Sequence, residues 1–144
     1  MSKTPNHLWI VGGLSLLWNL GGVVDYVMTR YQYEPYLATT GVPIDVMLGW
    51  IDSFPLWASA AWALGVWAAF AGSILLLMRK RYAVHAFAAS LLGIFIAAAG
   101  QHFVVRTPAE MQGVGSVIFS TAIMVIGAAL YFYARRMDEK GVLA

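Results

Sequence analysis

Cysteine is absent from all 144 residues. That excludes disulfide staples, thiol nucleophiles, thiolate zinc sites and iron–sulfur ligation. Charge is scarce too: 11% of residues are Asp, Glu, Lys or Arg, against roughly 25% in a soluble domain. Such a chain is neither an ordinary cytosolic globule nor a disordered tail. Its formal net charge of +2 is too small and too scattered for a nucleic-acid partner. Proline is sparse, and none sits at the centre of an apolar run. What is plentiful is apolar side chain, 60% of the residues, with a mean hydropathy of +0.71. The composition is that of an integral membrane protein.

A membrane-spanning helix needs about 20 mostly apolar residues. Four runs qualify, at roughly Leu8–Met28, Phe54–Met78, Ala83–Val105 and Val114–Ala134. None alternates with a period of two, so a β-barrel is not expected. The fold class expected is therefore an all-α membrane protein: a single four-transmembrane-helix bundle. The first run is too long for a secretory signal, and no small-residue cleavage site follows it, so it reads as a retained helix.

Lys and Arg set the orientation. Of nine basic residues, Lys3, Arg79, Lys80, Arg81, Arg135, Arg136 and Lys140 fall on one side, leaving Arg30 and Arg106 on the other. This predicts both termini in the cytoplasm and, without organelle-targeting features, a bacterial inner (cytoplasmic) membrane. Arg79, Lys80, Arg81, Arg135 and Arg136 read as topology determinants that can also grip anionic lipid headgroups. Asp138, Glu139 and Lys140 read as a solvated end.

The long connection from Thr29 to Ser53 faces outward in this scheme. After Pro43, a residue suited to a helix's first turn, Ile44, Met47, Leu48 and Ile51 form one apolar stripe at i, i+3, i+4 and i+7. The spacing predicts a short interfacial helix, with Trp50 and tyrosines at headgroup level. The alternative is a loop cap packed over the bundle.

Lipid tails are as apolar as Leu, so helices associate there through small residues and interhelical hydrogen bonds. Candidate seams are Ser15, Asn19, Gly22 and Tyr26 in the first span, and Ser59, Val66, Ala69 and Ser73 in the second. The third offers Ser90, Gly93, Ala97 and Gly100, and the fourth Gly113, Ser116, Ser120 and Gly127.

Polar groups at bilayer depth need a reason, because a central Asp costs about 2.5–3.5 kcal/mol on insertion scales. Asn19, Asp25, Gln101 and His102 form the candidate polar cluster. The first and third spans run the same way, which puts Asp25 and His102 at similar depth, where a contact would satisfy the carboxylate. The cluster reads either as a water-accessible pocket for a polar solute or proton, or as an interhelical clamp. His7 and His85 share the opposite depth and read as interfacial histidines rather than haem ligands. No metal-ligand motif, phosphate-binding glycine loop or nucleophile elbow occurs. Neither enzymatic activity nor a cofactor is expected.

Three segments carry a family resemblance: Leu17-Trp18-Asn19 with Gly22 and Asp25-Tyr26; Phe54-Pro55 leading to Leu75-Leu76-Leu77-Met78-Arg79-Lys80-Arg81; and Tyr133-Ala134-Arg135-Arg136-Met137 with Gly141-Val142-Leu143. With them the chain resembles small four-helix bacterial membrane proteins commonly catalogued as "sugar transporter". The resemblance implies four spans and carriage of a sugar, but assigns no binding residue. The longer outer loop here departs from that family's shorter linker. Alternating access rocks one repeat or bundle against another, so a carrier of four helices would have to be a homo-oligomer. Two functions are thus expected to compete. One is a non-enzymatic packing or accessory subunit whose partners are lipids and other membrane subunits. The other is a homo-oligomeric carrier of a small polar solute.

Overall fold

The computed structural model describes residues 3–144, and no strand occurs among them. Chain order is α1 (Asn6–Arg30), α2 (Glu34–Leu37), a 3-10 turn (Ala38–Thr40), α3 (Ile44–Asp52), α4 (Leu56–Leu77), α5 (Tyr82–Phe103), a second 3-10 turn (Ala109–Met111) and α6 (Val114–Glu139). Helices α1, α4, α5 and α6 are each long and apolar enough to cross a membrane, one for each of the four apolar runs read from the sequence. The short helix expected behind Pro43 forms as α3.

Prolines and one glycine set the helix starts. Pro5, Pro43, Pro55 and Gly113 hold the N-cap positions of α1, α3, α4 and α6 in non-helical backbone. Three of the long helices end alike. Gln32 (φ 51°), Arg79 (57°) and Gly141 (67°) turn into the left-handed region just past α1, α4 and α6. The next amide then reaches back, Tyr33 to the Met28 carbonyl, Lys80 to Leu75 and Val142 to Met137. These are Schellman caps, which satisfy carbonyls the helix leaves open. Glycine takes that conformation freely, whereas Arg79 pays about 1–2 kcal/mol for it.

Each long helix packs on its neighbour in sequence, α1 on α4, α4 on α5 and α5 on α6, with α4–α5 the broadest interface. The expected α5 seam lies in that interface. Ser90 donates a hydrogen bond to the Gly65 carbonyl at 2.7 Å. A Cβ on Gly93 would stand 2.5 Å from the Gly65 amide nitrogen and 2.6 Å from the Ala61 carbonyl oxygen. Backbone meets backbone there, the close approach that supports helix association in lipid. Ser59 and Ser73 of α4 and Ser15 and Asn19 of α1 are buried as their seams require. The α6 seam departs from expectation: Gly113, Ser116 and Ser120 are exposed, and only Gly127 is packed, facing Leu91 and Ile94.

At the end carrying both termini, Leu8, Leu76, Ala83, Phe87, Leu130, Ala134, Met137, Val142 and Leu143 form one buried cluster. Of the stretch read as a solvated end, Glu139 and Lys140 are exposed and Asp138 is half-buried. Helix α6 runs through Glu139, and Asp138 pairs with Arg81 at 3.6 Å. Residues 141–144 then fold back onto the Arg79–Arg81 turn. The Ala144 amide donates to the Arg79 carbonyl (2.7 Å), the Arg81 amide to the Ala144 carbonyl (3.0 Å), and Arg79 Nε to the Val142 carbonyl (3.3 Å). Val142 and Leu143 supply the reason: two apolar side chains beside a charged tail find cover in the cluster. The tail contacts also offset the strained Arg79 backbone.

At the opposite, loop end, α2, α3 and the two 3-10 turns build a cap. Leu37, Met47 and Ile51 are buried together, with Met111 against them. Of the stripe read on α3, Met47 and Ile51 turn into this cap, Leu48 is half-buried, and Ile44 is exposed.

Candidate functional site

The four polar residues singled out at bilayer depth separate into two places. Helices α1 and α5 are not sequential neighbours; α4 lies between them in the packing order. Among the described residues no hydrogen bond or ion pair joins Asp25 to His102: Asp25 is taken by Tyr36, and His102 is exposed against Phe103. Shared depth was legible, but helix order around the bundle was not.

Asn19 is a clamp. Its side-chain amide donates to the Ser73 hydroxyl (2.7 Å) and to the Ala69 carbonyl (3.2 Å), and Ser73 in turn donates to Ala69 (3.1 Å). The amide is thereby committed to joining α1 and α4. Asp25 is a latch. Its carboxylate accepts a hydrogen bond from the Tyr36 hydroxyl at 2.6 Å, which ties the cap to α1. A second tie runs from the Gln32 amide to Asp52 at 2.8 Å. Burial, the bond to Asp25 and the charge of Asp25 together push the Tyr36 phenol up to about 12. Tyr36 was missed as a functional partner, because the loop's tyrosines read as headgroup anchors.

Gln101 and His102 are exposed at the end of α5, and His102 stacks edge-on against Phe103. The start of α6 packs lightly on its own bundle. Every residue from Gln112 to Thr121 is exposed, with Val117 at 63% and Ile118 at 64%. The Phe119 ring reaches Trp18 of α1 in a tilted contact of 6.3 Å between centroids. Below it an apolar groove between α1 and α6 is lined by Val11, Leu14, Ser15, Trp18, Ile126 and Leu130.

His7 and His85 also go separate ways. A 2.6 Å hydrogen bond joins His7 Nδ1 to the Tyr133 hydroxyl, closing α1 against α6, and His85 lies exposed beside Tyr82. Trp50, expected at headgroup level, is half-buried and edge-on to Phe54 at 4.9 Å, its indole N–H enclosed with no partner among the described residues. Among the described residues no group of three or more His, Cys, Asp or Glu is placed to hold a metal ion. No family model, curated protein or solved structure matches the chain.

Proposed function

We propose that this chain is a non-enzymatic packing subunit of a larger membrane assembly, and that the loop-end half of α6 is the face it offers to a partner helix. The observation that carries this reading is the exposure of residues 114–121, the start of a helix apolar enough to span a membrane. An exposed apolar face alone would be covered by lipid. This one carries Gly115, Ser116, Ser120 and Thr121, the small and hydroxylated residues that mark helix–helix contacts in bilayers. Asn19 and Asp25, meanwhile, are engaged in holding the fold together, which favours scaffolding over solute chemistry.

The setting proposed is a bacterial inner membrane, with both termini cytoplasmic, as the basic residues gathered at that end favour. In that setting α3 lies along the outer surface, with Ile44 toward the headgroups and Met47 and Ile51 in the cap. Native mass spectrometry and blue native gels from mild detergent test the subunit reading. Co-migration with a larger complex is the expected result, and a lone monomer with no co-purifying partner contradicts it.

The second reading is the homo-oligomeric carrier of a small polar solute such as a sugar, the activity implied by the family resemblance. It is favoured by Gln101 and His102, exposed side by side at the end of α5. Uptake by reconstituted protein that survives His102→Ala unchanged would remove it.

A further inference from the structure

A groove of about 570 Å³ runs along the flank of α1 and α4, lined by Tyr26, Val27, Arg30, Tyr31 and Trp67. It is an open furrow rather than an enclosed cavity, with Tyr31 83% and Trp67 44% exposed, a shape for a chain laid along the surface. Its depth narrows the chemistry. Arg30 is the last residue of α1 and Tyr31 follows it, whereas Trp67 lies midway along α4 (Leu56–Leu77). In a bilayer the groove therefore opens at headgroup level and reaches about one and a half turns of α1 inward, where Tyr26 meets the Trp67 ring.

Its walls are preformed. The Tyr26 ring stands edge-on to Trp62 at 5.0 Å and to Trp67 at 6.4 Å, which fixes the aromatic side. Its rim is cationic. Arg30 is exposed and makes no ion pair among the described residues. Of the loop-end carboxylates, Asp25 and Asp52 accept hydrogen bonds from Tyr36 and Gln32, and Glu34, Asp45 and Glu110 are exposed and unpaired with Arg30 among the described residues. A guanidinium offers a planar fork of donors that matches phosphate, and a single basic residue near a membrane surface attracts an anionic lipid about fivefold, which is about 1 kcal/mol.

We propose that this groove is a site for one anionic phospholipid, with the phosphate on Arg30 and one acyl chain laid past Val27 and Tyr26 toward Trp67. Bulk interfacial attraction would make no distinction between Arg30 and Arg106, the other basic residue beyond the charged end. The groove does, because Arg106 takes no part in lining it.

The test is native mass spectrometry of the full chain from micelles doped with phosphatidylglycerol or phosphatidylcholine. The wild type should keep one phosphatidylglycerol about fivefold better than phosphatidylcholine, the scale of one basic residue at a membrane surface. Arg30→Gln should erase that preference, and Arg106→Gln should leave it intact. Trp67→Ala should also lower phosphatidylglycerol retention, since it removes the chain's inner contact. Equal losses in Arg30→Gln and Arg106→Gln overturn the proposal, as does full retention in Trp67→Ala. Displacement of the lipid by millimolar glycerol phosphate would assign the rim to a soluble phosphate and overturn it as well. Arg30 is a surface side chain, so its variant folds and the comparison stands even if Trp67→Ala does not.

Discussion

The two ends of this bundle are built by opposite means. At the terminal end all four long helices contribute to one buried cluster, and residues 141–144 plug it through backbone hydrogen bonds to Arg79 and Arg81. At the loop end a separate small cluster is made by the connecting segments, tied down by the Tyr36–Asp25 and Gln32–Asp52 bonds, while the start of α6 is exposed. The terminal end is one cluster shared by all four long helices, whereas the loop end is a smaller cluster supplied by connecting segments. A helix pair closed at one end by packing and free at the other leaves its free half available to something else, and the proposed function starts from that.

Substitutions can break or sharpen this contrast. The largest effect is expected at the closed end. Phe87 is buried against Gly72, and Phe87→Ala should cost about 3–5 kcal/mol, read as a lower Tm for the whole chain in detergent. Next is the zone where the halves join. Gly93→Ala drives a methyl into the Gly65 and Ala61 backbone, which cannot swing aside as a side chain would. Overpacking of this kind costs about 1–3 kcal/mol, and the same melt measures it.

The cap should respond more weakly and locally. Tyr36→Phe removes one hydrogen bond to a carboxylate, so about 1.5 kcal/mol or less is at stake at this partly exposed site. Hydrogen exchange should quicken across residues 34–52 with little change at the terminal end. Alkali does the same without a mutation. The phenol titrates near 10 when free and is held up to about 12 here, so its neutral form is the one favoured by folding. Its contribution is complete below pH 10 and is lost as pH climbs through 12. Protection of the cap amides in the wild type, taken relative to the hydroxide-catalysed intrinsic rate, should fall over that window, and in Tyr36→Phe this loss should vanish. The smallest effect belongs to the free half of α6, where Val117→Ala should move stability by less than about 0.5 kcal/mol. A large loss there would show that the isolated chain already packs that face.

Periodicity and proline placement made the helices legible. Four long apolar runs became four long helices, and Pro43 with the Ile44–Ile51 spacing became α3. Small residues located the α4–α5 contact correctly at Ser90, Gly93 and Gly100, because only close backbone approach demands them there. The same rule misled at Gly113, Ser116 and Ser120, since a small residue marks a surface able to pack without naming what covers it. Asn19 and Asp25 stood out by their cost in lipid, but their partners Ser73 and Tyr36 depend on helix order and on a loop folding back. Neither leaves a local pattern. The tail was read by its charges, and Val142 and Leu143 decided its place instead.

The most direct test of the account uses the absence of cysteine, which lets single cysteines be introduced without background. Val117→Cys and Ser120→Cys on the free half of α6, and Ala134→Cys and Met137→Cys on its packed half, would be coupled to a photo-crosslinker in native membranes. The account predicts adducts of higher mass from positions 117 and 120 and none from 134 and 137. Lipid adducts alone at all four positions, or protein adducts spread evenly over them, would contradict it.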